Sequence, residues 1–284
     1  MKILVLGGAG MAGHMIVQYF QTKTDFEVRY TTRTRKNGIY FDATDPTAIE
    51  EIIRQYKPDV IINVIGLLNE QAVKNQMDAI LVNSYLPHFL QKVLDKYGGK
   101  LIHISTDCVF SGVVDKNSNF RINGSGRYTE NDKPDGTSVY AMTKALGEIR
   151  SNHHVTLRTS IIGPELKDGI GLFHWFMKQK GRINGYRKVF WNGITTLQLA
   201  KVIETVIEKD GAGLFHITAP EIISKYDLLK QIQLIFLKKD VTIHPYDEIV
   251  LDRTLKNTRT DIVFRVPSYE KMLTELYEWM VRNG

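Results

Sequence analysis

The sequence predicts an α/β fold of the Rossmann type, a doubly wound parallel sheet carrying a small discontinuous substrate-binding lobe. Three observations predict it. Short apolar runs alternate with segments of helical period, the pattern of βαβ units whose parallel sheet is covered on both faces. The first run ends in glycines at a three-residue spacing, Gly7, Gly10 and Gly13. From Gly163 to Trp191, and again after Pro220, the alternation breaks into stretches that do not belong to the sheet.

Taken along the chain, residues 3–6, 27–30, 60–64, 101–104, 155–158 and 214–217 read as strands, in a sheet of six or seven. Residues 11–20, 47–56, 86–97, 139–150 and 196–208 read as the intervening helices. Asp45 stands as an N-cap before Pro46 at a first helical position, and Ser224 precedes Asp227 by three residues at the start of a later helix. Residues 1–162 and 190–218 are therefore expected to form the dinucleotide-binding domain. Residues 163–189 and 219–284 are expected to form the lobe.

The 284 residues suffice for one large domain or a main domain with a smaller lobe. With 43% hydrophobic and 24% charged residues, a disordered or fibrous chain is excluded. The single cysteine, Cys108, can form neither an intrachain disulfide nor a cysteine-rich metal site, and the histidines lack metal-ligand spacing, so no metal and a cytoplasmic location are expected. The opening apolar run meets Gly7 too early for a signal peptide or membrane span. A formal charge of +6 comes from bases scattered among 31 acids. That balance suits a small anionic substrate and gives no nucleic-acid footprint.

The chemistry begins at the glycine loop. A strand running into Gly7, Gly10, Met11, Ala12 and Gly13 presents backbone N–H groups and a helix N-terminus to a pyrophosphate. The second strand ends in Thr31-Thr32-Arg33-Thr34-Arg35-Lys36, with bases and no acid. An acid there would serve the ribose hydroxyls of NADH, whereas bases suit a 2′-phosphate. NADPH is thus expected ahead of NADH, with Arg33 on the phosphate and Arg35 or Lys36 behind it. Asp42 follows the next apolar step and is either a cap on the adenine amino group or a turn acid.

Ser105, Thr106 and Asp107 stand at the carboxyl end of a strand, where open α/β sheets bind ligands. Tyr140 and Lys144 lie four apart on a helix and share a face, so an ammonium can lie beside a phenol and favour its ionised form. Thr106 would polarise a carbonyl from the other side. In the lobe, Trp175, Arg182, Asn184, Tyr186, Arg187 and Trp191 offer aromatic faces for a base and cations for a diphosphate.

Gly7 to Gly13, Ser105-Thr106-Asp107 with Val109-Phe110-Ser111-Gly112, Tyr140 to Lys144 with Gly147-Glu148, and Arg158-Thr159-Ser160 together resemble the extended short-chain dehydrogenase/reductases. Within them the chain looks like the dTDP-4-dehydrorhamnose reductase branch. The resemblance covers roughly residues 1–220. It implies Tyr140 as proton donor, Lys144 as its activator and ribose ligand, Thr106 as the carbonyl-orienting hydroxyl, and hydride transfer from NADPH to C4 of a 4-keto-6-deoxy sugar. It further implies a nucleotide-diphosphate sugar as partner, a homodimer being compatible, and a role in surface polysaccharide synthesis.

Cys108 and Ile161 stand where rhamnose-forming members usually carry aromatic residues facing the sugar, and residues 66–70 lack the usual Thr-x-Val-Asp pattern. A UDP-linked 4-keto-6-deoxy-N-acetylhexosamine therefore stands beside the dTDP sugar as substrate. Two other functions share these residues: a nucleotide-sugar epimerase of the same superfamily, and a non-catalytic NADP-binding regulatory subunit. An intact Thr106, Tyr140 and Lys144 argues against the regulatory subunit.

Overall fold

A computed structural model describes residues 1–34, 38–114, 126–166 and 169–283. The strands are β1 (Lys2–Leu6), β2 (Glu27–Thr32), β3 (Ile39–Tyr40), β4 (Val60–Asn63), β5 (Lys100–Thr106), β6 (Val155–Thr159), β7 (Ile161–Ile162), β8 (Gly181–Tyr186), β9 (Val189–Trp191), β10 (Ile194–Thr195), β11 (Gly213–His216), β12 (Ile223–Ser224), β13 (Val241–Tyr246) and β14 (Leu251–Asp252). The helices are α1 (Met11–Gln21), α2 (Thr47–Tyr56), α3 (Asn69–Lys74), α4 (Gln76–Ala79), α5 (Leu86–Tyr97), α6 (Val139–Leu146), α7 (Leu172–Lys178), α8 (Thr196–Glu208), α9 (Lys225–Ile235) and α10 (Tyr269–Asn283).

Seven parallel strands make the main sheet in the order β11-β6-β5-β4-β1-β2-β3. Both faces are covered, and the side chains of β1 show how. Ile3 and Val5 join a core built with Met15 and Phe20 of α1 and Leu199 and Val206 of α8. Leu4 and Leu6 point the other way, into a core with Ile49 and Ile53 of α2 and Leu90 and Leu94 of α5. A strand buried on both faces reads as an unbroken apolar run, which is why β1 lacks alternation. The strand order reverses between β1 and β4, and the crevice above their carboxyl ends is where such sheets take ligands.

The structure departs from the sequence reading in four places. The helix expected over 139–150 stops at Leu146, with Gly147 as its C-cap, packed so close that a Cβ there would stand 1.9 Å from the Asn83 carbonyl oxygen. Asp45 Oδ1 accepts from Thr47 N at 3.2 Å, but the helix begins at Thr47, so Pro46 occupies the cap position and not the first turn. Residues 69–85, left unassigned by periodicity, form α3, α4 and a π-helical segment, Ile80–Tyr85.

The lobe is also less separate than expected. The division drawn before residue 190 passes through β9, which pairs with β12 and β14. Helix α10 returns to the main domain, where Lys201 of α8 donates to Glu275 at 2.7 Å and Trp279 lies 6.0 Å from the Tyr19 ring. Among the described residues, no helix is long and apolar enough to cross a membrane.

Candidate active site

The glycine loop owes its shape to three close approaches. Gly7 has φ of 87°, a conformation that side chains rarely adopt, and its N–H donates to Thr31 Oγ1 at 3.2 Å. A Cβ on Gly13 would stand 2.1 Å from the Gly7 carbonyl oxygen, so only glycine lets α1 pack this close to the turn. A Cβ on Gly10 would meet only the Gly7 oxygen, at 3.3 Å, leaving its outer face open. No side chain caps the start of α1, so the amides of its first turn are available to an anion.

Arg33 stands exposed just past the end of β2, where the 2′-phosphate contact was expected; Arg35 and Lys36 lie outside the described residues. The Asp42 carboxylate accepts from both the amide and the hydroxyl of Thr44, at 3.0 and 2.7 Å, and these bonds hold its pKa below the usual range. This is the behaviour of a turn acid.

Strand β5 is buried throughout and ends at Thr106. Thr106 Oγ1 accepts from Cys108 N at 3.1 Å, starting a single 3₁₀ turn, and donates to Asp107 Oδ1 at 3.2 Å. Tyr140, in the first turn of α6, brings its phenol beside Thr106. Burial holds the phenol well above the usual tyrosine pKa, Cys108 and Asp107 add to the shift, and the Thr106 hydroxyl opposes it. Tyr140 is therefore a protonated donor at neutral pH.

Lys144 does lie one turn beyond Tyr140, but its ammonium does not bond to the phenol. It donates to the Ile104 carbonyl at 2.7 Å and stands 3.4 Å from His103 Nε2. Burial lowers its pKa to about 8, with Glu148 opposing. A buried ammonium must find acceptors, and the carbonyl on the adjoining strand satisfies that need.

Beneath this edge lies a charged network. Ser105, expected to face substrate, instead donates its hydroxyl to Glu148 Oε1 at 2.7 Å. Glu148 receives Arg158 Nε and Nη2 at 2.6 and 2.5 Å. Asn83, from the π-helical segment, exchanges bonds with the Leu67 backbone at 2.9 and 3.0 Å and donates to Thr143 Oγ1 of α6 at 3.1 Å. It ties the loop after β4 to the helix that carries Tyr140.

Residues 1–256 match the RmlD substrate binding domain. The chain belongs to that family. A spore coat polysaccharide biosynthesis protein, SpsK, of Bacillus subtilis is 26% identical over 148 residues, which is 52% of this chain and 47% of that protein. A dTDP-4-dehydrorhamnose reductase of Mycobacterium tuberculosis is 32% identical over 149 residues, 52% of this chain and 44% of that protein. The chain thus spans about half the length of these curated relatives. Among solved structures, a dTDP-4-dehydrorhamnose reductase from Bacillus anthracis in complex with NADP shares the fold, with a TM-score of 0.79 at 18% identity, over 98% of this chain and 99% of that one.

Within this family fold, the lobe residues singled out by sequence take varied places. Trp175 stands partly exposed on α7, 38% accessible. Arg182 and Asn184 are exposed on β8, which pairs with β13, and neither makes a hydrogen bond or ion pair with the end of β5 among the described residues. Trp191 is buried, its ring stacked on Tyr269 at 5.6 Å, so it packs the lobe and is not an open face for a base. Arg187 pairs with Asp247.

Two cations that sequence reasoning passed over reach the end of β5. Arg253 donates from Nη1 to Cys108 Sγ at 3.5 Å and from Nε to the Ser111 carbonyl at 3.2 Å. Lys225, at the start of α9, lies 4.5 Å over the Trp191 ring and interacts electrostatically with Asp107 and Cys108. Burial raises the Asp107 pKa, and Arg253 and Lys225 oppose the rise. The available signal for Lys225 was its place directly after the cap Ser224. Arg253 sits in irregular chain that carries no pattern. No group of three or more histidine, cysteine or acidic side chains with metal-binding geometry occurs among the described residues.

Proposed function

We propose that the chain reduces the C4 ketone of a nucleotide-activated 4-keto-6-deoxy sugar, using NADPH ahead of NADH, in the making of a surface polysaccharide. The observation that carries this reading is the meeting of Thr106 and a protonated Tyr140 at the carboxyl end of β5. The residues beside it fit a dinucleotide: Gly7, Gly10, Met11, Ala12 and Gly13 offer a close-approach turn and an uncapped helix start, and Arg33 offers a cation to a 2′-phosphate. When bound, that dinucleotide supplies the hydride for C4.

The chain's own residues supply the rest. Thr106 Oγ1 orients the ketone oxygen, and Tyr140 Oη donates the proton that converts the developing alkoxide to an alcohol. The phenol is protonated at neutral pH, as reduction requires of its acid. Lys144 supplies positive charge and a donor for ribose hydroxyls, and Asn83 holds α6 in register with the strand end. Asp42 contributes to the adenine end as a turn acid. The names of the relatives, reductases of dTDP-linked keto sugars and a polysaccharide biosynthesis protein, support the same reading.

The test is loss of NADPH absorbance with 4-keto-6-deoxy sugars generated in situ on dTDP and on UDP, repeated with NADH. Tyr140→Phe is expected to lower kcat by about 10²- to 10⁴-fold while leaving the NADPH dissociation constant within about twofold. Unchanged turnover in Tyr140→Phe would overturn the role of Tyr140. Tight NADPH binding with no oxidation of any sugar would turn the reading to an epimerase or a binding subunit.

A further inference from the structure

We infer that His103 is a positioning residue for Lys144: Asn63 holds its ring in the Nε2–H tautomer, the ring turns that N–H toward the Lys144 Nζ, and dinucleotide binding draws a proton onto Lys144. The inference rests on the proposed function for the part of the dinucleotide that Lys144 meets, its ribose hydroxyls.

The tautomer follows from a chain of bonds that begins at a backbone amide. Asn63 and His103 are register partners on β4 and β5, and neither has exposed surface. Asn63 Oδ1 accepts from the Ile65 N–H at 3.2 Å. A backbone N–H only donates, so this bond fixes which end of the Asn63 amide is which. Its Nδ2 then points at His103 Nδ1, 3.2 Å away. Nδ1 therefore accepts, and in a neutral imidazole the proton lies on Nε2. The ring is neutral, because burial, with the charges of Lys144 on α6 and His88 on α5, holds its pKa well below the usual histidine value. Nε2 is the atom that stands 3.4 Å from Lys144 Nζ.

This arrangement works against the ammonium. An ammonium brings three donors to a place where one neighbour is itself a donor, whereas an amine accepts the His103 N–H through its lone pair. The Ile104 carbonyl, at 2.7 Å, takes one donor from either form. Burial favours the amine too, the Glu148 carboxylate opposes it, and the Lys144 pKa stands at about 8. Ribose hydroxyls beside Nζ give the ammonium the acceptors that His103 does not. The proton then returns from solvent as the dinucleotide binds.

Nitrogen NMR of protein carrying isotope-labelled histidine reads the tautomer without any ligand. The His103 ring is expected to be protonated at Nε2 and bare at Nδ1 from about pH 6 to about pH 10. Its Nε2 resonance should move with a midpoint near pH 8 as Lys144 titrates, and should stay still in Lys144→Met. A proton found on Nδ1 overturns the inference.

Calorimetry of NADPH binding in two buffers of different ionisation enthalpy counts the protons taken up. At about pH 8.5 the 2′-phosphate is already ionised, and the wild-type protein is expected to take up roughly half a proton or more. In His103→Asn an amide oxygen can still accept from Asn63 while no donor reaches Nζ, so the uptake should fall about threefold. Unchanged uptake in His103→Asn overturns the inference. So does uptake that persists in Lys144→Met, which would assign it to another group such as Lys225, whose pKa burial also lowers to about 8. If neither NADPH nor NADH binds, the cofactor reading falls and takes the uptake with it, whereas a His103 resonance that follows Lys144 upholds the pairing by itself.

Discussion

Arg158 has no exposed surface, and its guanidinium is satisfied on every side: twice by Glu148, by His216 Nε2 at 3.2 Å, and by the Phe110 ring at 5.1 Å. Because His216 accepts at Nε2, its proton lies on Nδ1, which donates to the Tyr128 carbonyl at 3.1 Å. The Glu148 side chain is 5% exposed, so removing its charge strands a buried cation. Glu148→Gln is expected to destabilise the protein by about 3–5 kcal/mol, measured by urea unfolding, and to loosen Ser105 at the floor of the site. At this scale the sequence made part of the site legible. Thr106, Tyr140 and Lys144 could be read because a strand end and an i, i+4 helical pair have fixed spacings. Glu148 and Arg158 stood in motifs that could be quoted, yet their pairing could not be read, because it depends on how the segment after α6 folds back against β6. The Lys144 ammonium was misdirected for a similar reason: helical spacing shows which face it shares, not which carbonyl the neighbouring strand offers.

At the level of elements, α2, α5 and α8 begin and end where their periodicity predicts, because each has one apolar face and a definite stop. The π-helical segment was hidden for a physical reason. Within it Asn83 bonds to Leu67 and Thr143, tertiary contacts with no local signature. The edge strand β3 has two residues, too few to show a pattern. The strand–turn–helix unit at the N-terminus was legible throughout, since its glycines are required at their spacing. Gly13→Ala tests that requirement. The new methyl group must push α1 off the Gly7 carbonyl, so NADPH affinity is expected to fall by about tenfold or more, together with a lower melting temperature, both measurable by thermal shift with and without the dinucleotide.

For the whole molecule, the topology was legible, and the boundary drawn at residue 190 falls inside β9. Alternation along the chain implies a parallel sheet, whereas the return of α10 to the main domain depends on which surface its buried Met272, Leu273 and Leu276 find. The shared core carries a pH dependence. Burial lowers the pKa of His14, His103, His154 and His216, the last to about 4, from an unfolded value of 6.5. The unfolded chain therefore binds protons first. These histidines cost nothing above pH 6.5, and stability falls as the pH drops from 6.5 through about 4. Unfolding midpoints recorded across that range should decline toward acid, and a flat profile would show the histidines to be hydrated.

The stacking of Trp191 against Tyr269, with Lys225 over the same indole, joins the β9 strand, the start of α9 and the start of α10 in one contact. Of the three tryptophans, Trp175 lies on α7 and Trp279 on α10. Among the described residues, Trp191 is the tryptophan with a lysine ammonium over its ring. The indole is thus a built-in optical gauge, whose emission is expected to respond when the Lys225 ammonium moves from its face.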